Sequence, residues 1–184
     1  KNFKIYKNFN LIKRDKGAII LIGNFDGLHK GHQKLFNKAK SFKRKFKLRI
    51  GVITFDPVPK MFFKKLYNYR LSNFNQKIQL LKKSNVDFII NKKFNTKFSK
   101  ISCFDFIKKI LFKRIQPKYI FVSDNFRFGY KRAGDIKLLE SLQKDYNYKI
   151  VNPSPLKTKK FVISSTLIRK NLEKGNLKKK KKLL

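Results

Sequence analysis

The sequence predicts an α/β fold, a doubly wound parallel sheet with helices on both faces, formed by a single domain. Short apolar runs alternate with longer amphipathic stretches along the 184 residues, a pattern typical of repeated βα units. The runs are rich in β-branched residues and Leu, as expected for buried strands of a parallel sheet. No Pro- or Ser-rich linker and no internal repeat divides the chain, whose length suits one domain.

Apolar runs and helical spacing predict the individual strands and helices. Each predicted strand is an apolar run that stops at a glycine, proline or polar turn; the strands are 18–22, 50–55, 88–90, 119–122 and 148–151. Between and after them, apolar residues recur at helical spacing, which predicts helices over 33–42, 76–83, 103–112, 136–146 and 165–174.

Both histidines of the chain, His29 and His32, lie in the turn between the first strand and the first helix. The free N–H groups of a first helical turn, together with the helix dipole, attract anions. Residues three apart share one face of a helix, and Gly31 between them permits close approach to the backbone. We therefore expect both imidazoles to stabilise charge that develops on a phosphate. A zinc site is not expected, because the single Cys103 is distant in sequence and zinc usually needs four N or S ligands.

This segment, Gly-Asn-Phe-Asp-Gly-Leu-His-Lys-Gly-His from Gly23 to His32, resembles the HxGH signature of the nucleotidyltransferase superfamily. Its form is similar to that of the FAD synthases, also called FMN adenylyltransferases. The resemblance implies a Rossmann-like fold of the HxGH nucleotidyltransferase type. It also implies catalytic roles for His29 and His32, and ATP binding by Gly23, Asn24, Phe25, Asp26 and Gly31. Cytidylyltransferases and other superfamily members carry related turns, so this segment alone leaves them open.

Two further segments resemble the FAD synthases and imply the flavin side of the site. Thr-Phe-Asp-Pro-Val-Pro resembles the family's TFDPxP, although Val58 stands where many relatives have His. The loop beginning Val-Ser-Asp-Asn-Phe-Arg-Phe-Gly departs from the family pattern at Ser123 and Asn125, where Gly and Asp are usual. The flavin-binding residues implied by the resemblance are Phe55, Pro57, Pro59, Asn125, Phe126 and Arg127.

A fourth segment, Ile-Ser-Ser-Thr-Leu-Ile-Arg from Ile163 to Arg169, resembles the ISSTxIR motif of the superfamily. Hydroxyl groups at this position can cap a helix or donate to phosphate, and an arginine can hold pyrophosphate through its bidentate fork. The resemblance implies ATP binding by Ser164, Ser165 and Thr166, and a catalytic role for Arg169. The four motifs occur in the family's order and cover nearly the whole chain.

The resemblance implies direct adenylyl transfer from ATP to FMN, with FAD and pyrophosphate as products and Mg²⁺ carried by the ATP phosphates. It also implies that residues 1–184 form an FMN adenylyltransferase domain without the riboflavin kinase domain that many relatives carry. Two alternatives remain: another HxGH nucleotidyltransferase, such as a cytidylyltransferase, and a basic nucleic-acid-binding module.

The composition bears on the second alternative. There are 48 Lys and Arg residues against 10 acidic ones, a formal net charge of +38, which favours polyanions in general. The lysines are spread along the chain and accompany abundant Asn, Ile and Phe, so we attribute them to biased codon usage and expect no specific nucleic acid. The lack of a long apolar stretch or a secretory pattern, and the single cysteine, predict a cytoplasmic protein without a membrane partner.

Overall fold

The computed structural model describes residues 3–66, 69–156 and 162–173. In this part of the chain, six strands form one parallel sheet in the order β1-β4-β3-β2-β5-β6. Their bounds are β1 Lys4–Tyr6, β2 Ile19–Ile22, β3 Ile50–Asp56, β4 Phe88–Lys93, β5 Tyr119–Phe121 and β6 Lys149–Val151. The predicted α/β class and the five predicted strands are confirmed, with ends that shift by one to three residues.

Strand β1 is missing from the sequence prediction, and its composition explains why. It has three residues at the edge of the sheet, of which Lys4 and Ile5 are exposed and only Tyr6 is buried. A strand this short and this exposed has no apolar run by which to recognise it.

Helices cover both faces of the sheet. They are α1 Lys30–Phe46, α2 Pro59–Lys64, α3 Phe74–Lys83, α4 Thr96–Ser99, α5 Cys103–Asp105, which continues as a π-helix over Phe106–Ile115, α6 Ile136–Ser141 and α7 Ser165–Glu173. The five predicted helices are present, but α6 ends five residues before the predicted 146, and the predicted last residue of α7 lies outside the described residues. The short helices α2 and α4 were not predicted. None of these helices is long and apolar enough to cross a membrane.

Alternate residues of each strand pack against opposite helical layers. Ile19 and Leu21 of β2 face the layer that contains Leu35 and Phe36 of α1. Ile20 and Ile22 of the same strand face the opposite helical layer. That layer contains Ile107, Ile110 and Leu111 of the π-helix and Leu139 of α6. Burial on both faces accounts for the apolar sequence of the central strand β2, because no face of it is left for water.

The topology places a crevice between β2 and β5. From β2 the chain builds outward through β3 to β4 on one side, whereas β5 and β6 lie on the other side. Ligands of doubly wound sheets bind where the strand order reverses, at the carboxyl ends of the strands. The turn after β2 and the loop after β5 both begin at this position.

Candidate active site

The turn after β2 is tightly wound and ends at His29. Phe25, Gly27 and Leu28 all have positive φ angles, of 47°, 75° and 38°, a conformation that suits Gly and that other residues rarely adopt. The turn delivers His29 to the N-cap position of α1, where its Nδ1 accepts a hydrogen bond from the backbone N–H of His32 at 3.3 Å. The ring of His29 is therefore fixed by the helix that it caps.

The two imidazoles lie face to face. Their ring centroids are 3.6 Å apart with planes inclined by 21°, and His29 is only 5% exposed. Burial, with a smaller contribution from the positive charge of Arg169, lowers the pKa of His29 to about 4. Burial, then His29 and Lys77, also hold the pKa of His32 well below its usual value. Both rings are therefore neutral near pH 7, and Nε2 of His29 carries the ring proton, because Nδ1 is an acceptor.

Asp26 joins the turn to two distant segments. Its carboxylate accepts hydrogen bonds from the backbone N–H groups of Leu71 at 2.9 Å and of Ser72 at 3.0 Å, and from the Ser72 hydroxyl at 3.2 Å. It also forms an ion pair with Arg169, whose Nη2 lies 2.7 Å from Oδ2; the carboxylate is buried and the guanidinium group is partly buried. Asp26 thus ties the turn to the segment before α3 and to α7.

Arg169 is held from three directions. In addition to the ion pair with Asp26, its Nε donates to the Tyr69 carbonyl at 2.8 Å and its Nη1 donates to the Tyr69 hydroxyl at 2.9 Å. The guanidinium carbon also lies 3.7 Å from the centroid of the Tyr69 ring, a cation–π geometry. These contacts engage three of the five N–H donors of a guanidinium group and fix its orientation, and the other two have no partner among the residues that the structure describes.

The beginning of α7 closes the same wall. The Ser164 hydroxyl accepts from the Leu167 N–H at 3.2 Å and caps the helix. The Ser165 hydroxyl donates to the Asp26 carbonyl at 3.2 Å, whereas Thr166 lines the cavity described below. The serine-rich segment therefore has a capping role and a bridging role in addition to any contact with phosphate.

Gly31 makes room for the segment that precedes α7. A Cβ atom at this position would lie 2.9 Å from the Ile163 carbonyl oxygen, closer than real Cβ contacts allow, and a tight 3.1 Å from Nδ1 of His29. Gly31 therefore allows the backbone at Ile163 to pack closely against the first turn of α1. This approach brings the hydroxyl groups of α7 next to the two histidines.

These elements surround a cavity of about 1010 Å³. It lies at the carboxyl edge of the sheet, between the turn after β2, the loop after β5 and the start of α7. The structure brings together every predicted site residue except Pro57: Gly23, Asn24, Phe25, Asp26, His29, Gly31, His32, Phe55, Pro59, Asn125, Phe126, Arg127, Ser164, Ser165, Thr166 and Arg169 line this space.

A second part of the cavity wall, which we call the aromatic end, contains Phe55, Phe94, Phe98 and Phe126. Phe55 packs against Phe94 and Phe98, with ring centroids 6.0 and 5.6 Å away, and Phe126 stacks on Phe128 at 5.5 Å. Two polar side chains of the loop after β5 are exposed and bond within that loop: Asn125 accepts from the Ser123 hydroxyl at 3.0 Å, and Arg127 donates to the Phe126 carbonyl at 2.9 Å.

The sequence prediction missed several residues that shape the site. Tyr69 and Ser72 lie in a segment without a motif, and Phe94 and Phe98 lie beyond the end of a predicted strand, so no local pattern identifies them. Lys77 is different, because it occupies a core-facing position of α3 beside Ile78 and Leu81. A lysine within an apolar helical stripe is a signal that could have been recognised.

Comparisons with known proteins agree on one family. A family model described as FAD synthetase matches residues 11–167. The bifunctional riboflavin kinase/FMN adenylyltransferase of Buchnera aphidicola subsp. Acyrthosiphon pisum is 38% identical over 177 residues, 95% of this chain and 56% of that protein. The Escherichia coli K12 protein of the same name is 32% identical, over 88% of this chain and 52% of its own length. A Listeria monocytogenes FAD synthetase is 30% identical over 94% of this chain and 70% of its own.

The chain spans about half the length of the bifunctional relatives it matches. Among solved structures, one described as a macrolide-efflux protein from Streptococcus pneumoniae superposes with a TM-score of 0.83 at 28% identity, covering 99% of this chain and 61% of that one. A Francisella tularensis pantoate-beta-alanine ligase has a TM-score of 0.59 at 21% identity, over 95% of this chain and 77% of the ligase. The ligase shows the shared fold alone.

Proposed function

The chain belongs to the FAD synthetase family, and from this membership we propose that it transfers the adenylyl group of ATP to FMN, giving FAD and pyrophosphate. The observation that carries the proposal is the single cavity with two unlike ends. Its histidine and hydroxyl end suits a triphosphate, and its aromatic end suits a flat ring system. The family matches favour this activity over the cytidylyltransferase and nucleic-acid-binding alternatives.

The proposed reaction is a single in-line displacement. A phosphate oxygen of FMN attacks the α-phosphorus of ATP, and a new P–O bond forms as the bond to the bridging oxygen of the β-phosphate breaks. Pyrophosphate leaves with that electron pair. The chain then contributes position and electrostatics, and no side chain has to act as a nucleophile.

The two imidazoles act as neutral donors in this proposal. Because Nδ1 of His29 is occupied by the His32 N–H, its Nε2–H is the group that can donate to a phosphate oxygen. A preorganised donor aimed at developing charge contributes about 10²–10³ in rate. Arg169 and the Ser164, Ser165 and Thr166 hydroxyls would hold the outer phosphates, and the Gly23, Asn24 and Phe25 backbone would seat the nucleotide.

The flavin would occupy the aromatic end of the cavity. Phe55, Pro59 and Phe126 offer apolar surface there, and Asn125 and Arg127 offer exposed polar groups. Pro57 lies outside the cavity wall, in the strand-to-helix connection between Asp56 and α2. We propose that it supports Pro59 rather than contacting the ring.

We propose that the divalent metal is Mg²⁺ and that it enters with ATP as part of the substrate. Among the described residues, no cluster of three or more His, Cys, Asp or Glu side chains could hold a metal ion. Two carboxylates lie in the cavity wall: Asp26 is already engaged by Arg169 and by backbone N–H groups, and Asp124 is exposed in the loop after β5. Phosphate oxygens and water are ligands that Mg²⁺ prefers.

The test is a product analysis with matched substrates. The protein is incubated with Mg²⁺, ATP and FMN, and the flavins are separated by chromatography; the proposal expects FAD and stoichiometric pyrophosphate. Parallel reactions replace ATP by CTP, or FMN by riboflavin, and neither should yield a new dinucleotide. Turnover with CTP and another acceptor, combined with indifference to FMN, would overturn the proposed activity.

A further inference from the structure

A lysine lies buried behind the phosphate end of the cavity. Lys77 is only 5% exposed, although lysine is among the residues least often buried. It faces the sheet from α3, on the same side as Ile78 and Leu81. Among the described residues it has no carboxylate within salt-bridge distance, and its ammonium group donates one hydrogen bond, to Oγ1 of Thr54 at 3.3 Å.

That hydrogen bond continues into the turn after β2. The Thr54 side chain is fully buried, at 0% exposure, and its hydroxyl donates to the Asn24 carbonyl at 3.3 Å. Asn24 lines the cavity. Lys77 is therefore linked through the Thr54 hydroxyl to the Asn24 backbone, which we propose seats the nucleotide. The lysine itself lies behind this backbone and not in the cavity wall.

The surrounding charges leave the ammonium group uncompensated. The carboxylates that influence Lys77 belong to Asp26 and Asp56, and each already pairs with an arginine, Arg169 and Arg70 respectively. Burial lowers the pKa of Lys77 and the positive charge of Arg70 adds to this lowering, whereas the two carboxylates oppose it. Two neutral pairs and one lysine give a local excess of one positive charge.

The positive charge of Lys77 also acts on the histidine pair. Lys77 is among the groups that hold the pKa of His32 below its usual value, and Nδ1 of His32 is buried without a hydrogen-bond partner in the described part of the chain. A buried cation without a counter-ion is costly. A polyphosphate bound in front of Asn24 would supply the missing negative charge.

We propose that Lys77 is a positioning residue for the triphosphate: it holds the Asn24 carbonyl through Thr54 and provides a positive charge behind the phosphate site. The inference rests on the proposed function, because it takes the anion to be the triphosphate of ATP. The role is electrostatic and indirect. The lysine touches neither substrate and favours the bound nucleotide through the turn that it supports.

The experiment compares two lysines of one helix. Lys77→Met removes the buried ammonium while keeping a similar volume, and Lys83→Met removes an exposed one at the end of α3. Tripolyphosphate and ATP binding are measured by calorimetry at fixed ionic strength, together with kcat and both KM values for FAD formation. In Lys77→Met we expect tripolyphosphate affinity to fall about 10-fold and the KM for ATP to rise similarly. The KM for FMN should stay within about 2-fold, as should all values for Lys83→Met.

A second variant separates position from charge and covers a folding failure of Lys77→Met. Thr54→Val keeps the ammonium group but removes both hydrogen bonds of the Thr54 hydroxyl. It should lower kcat/KM for ATP by about 3- to 10-fold, with tripolyphosphate affinity nearly unchanged. Wild-type kcat/KM in Thr54→Val would overturn the positioning role, and equal tripolyphosphate affinities in Lys77→Met and Lys83→Met would overturn the charge role.

The same data distinguish the two proposals. If the wild-type protein forms no FAD, the proposed activity is wrong. The anion role of Lys77 still stands in that case if Lys77→Met, and not Lys83→Met, binds tripolyphosphate more weakly than the wild-type protein. If FAD is formed and Lys77→Met behaves like Lys83→Met throughout, the activity stands and the role of Lys77 is wrong.

Discussion

The two ends of the cavity are built by different means. At the histidine end, the buried Asp26 carboxylate bonds to segments 45 and 143 residues away in the chain, the second through the partly buried Arg169. At the aromatic end, the polar groups of Asn125 and Arg127 are exposed, and their hydrogen bonds within the described part of the chain reach one to two residues along it. The comparison teaches that the histidine end is held in place by contacts between distant segments, whereas the aromatic end relies on apolar walls and a loop with local contacts.

Removal of both imidazoles should have the largest effect, and it tests the role given to the histidine end. His29→Ala with His32→Ala should lower kcat by at least about 10³-fold, because two preorganised donors are lost at the reacting phosphate. Circular dichroism should show an intact fold. Asn37→Ala, an exposed position on the same helix, serves as the control and should retain activity. A double variant with near-normal kcat would contradict the roles given to both histidines.

Stability should depend on the carboxylate of one end only. Asp26→Ala leaves Arg169 without its partner and removes the acceptor of two backbone N–H groups. We expect the free energy of unfolding to fall by about 3–5 kcal/mol, the usual cost of breaking a buried pair. Asp124→Ala, at an exposed position in the loop after β5, should change it by less than about 0.5 kcal/mol. Urea denaturation measures both, and equal effects would remove the distinction between the two ends.

Acid should weaken the histidine end specifically. The pKa of His29 is lowered from 6.5 to about 4 in the folded protein, so between these values the unfolded chain binds more protons than the folded one. Stability must then fall as the pH drops through this window. From about pH 7 to about pH 5 the His29 contribution amounts to about 2 kcal/mol. Denaturation of the wild-type protein and of His29→Gln at both pH values checks this, since the variant should lose that part of the pH dependence.

The smallest effect should come from the flavin end. Phe126→Ala removes one aromatic wall and should raise the KM for FMN by about 10-fold, since an aromatic contact contributes roughly 1–1.5 kcal/mol. The KM for ATP should change by less than about 2-fold. Phe104→Ala provides the matched control, because Phe104 is an exposed aromatic residue of α5. A larger change in the KM for ATP than in that for FMN would reverse the proposed orientation of the substrates.

Much of the fold follows from local sequence, because buried parallel strands must be apolar and must end at turns. The histidine pair is predictable for the same reason, since its two members are three residues apart and share one helical turn. Tyr69 and Ser72 are not predictable, because their roles arise from contacts with Arg169 and Asp26 that only the folded chain creates. Lys77 lies between these cases, with a visible anomaly in α3 whose partner, Thr54, cannot be read from the sequence.

The link between Asp26 and Arg169 also has a consequence for how the protein is made. The 143 positions that separate them mean that a ribosome has synthesised all six strands of the sheet before α7 can dock. Until then the Asp26 carboxylate lacks its guanidinium partner, and Gly31 has no Ile163 carbonyl against it. During translation the sheet can therefore form before the histidine end of the cavity, which is complete only once α7 has emerged and docked.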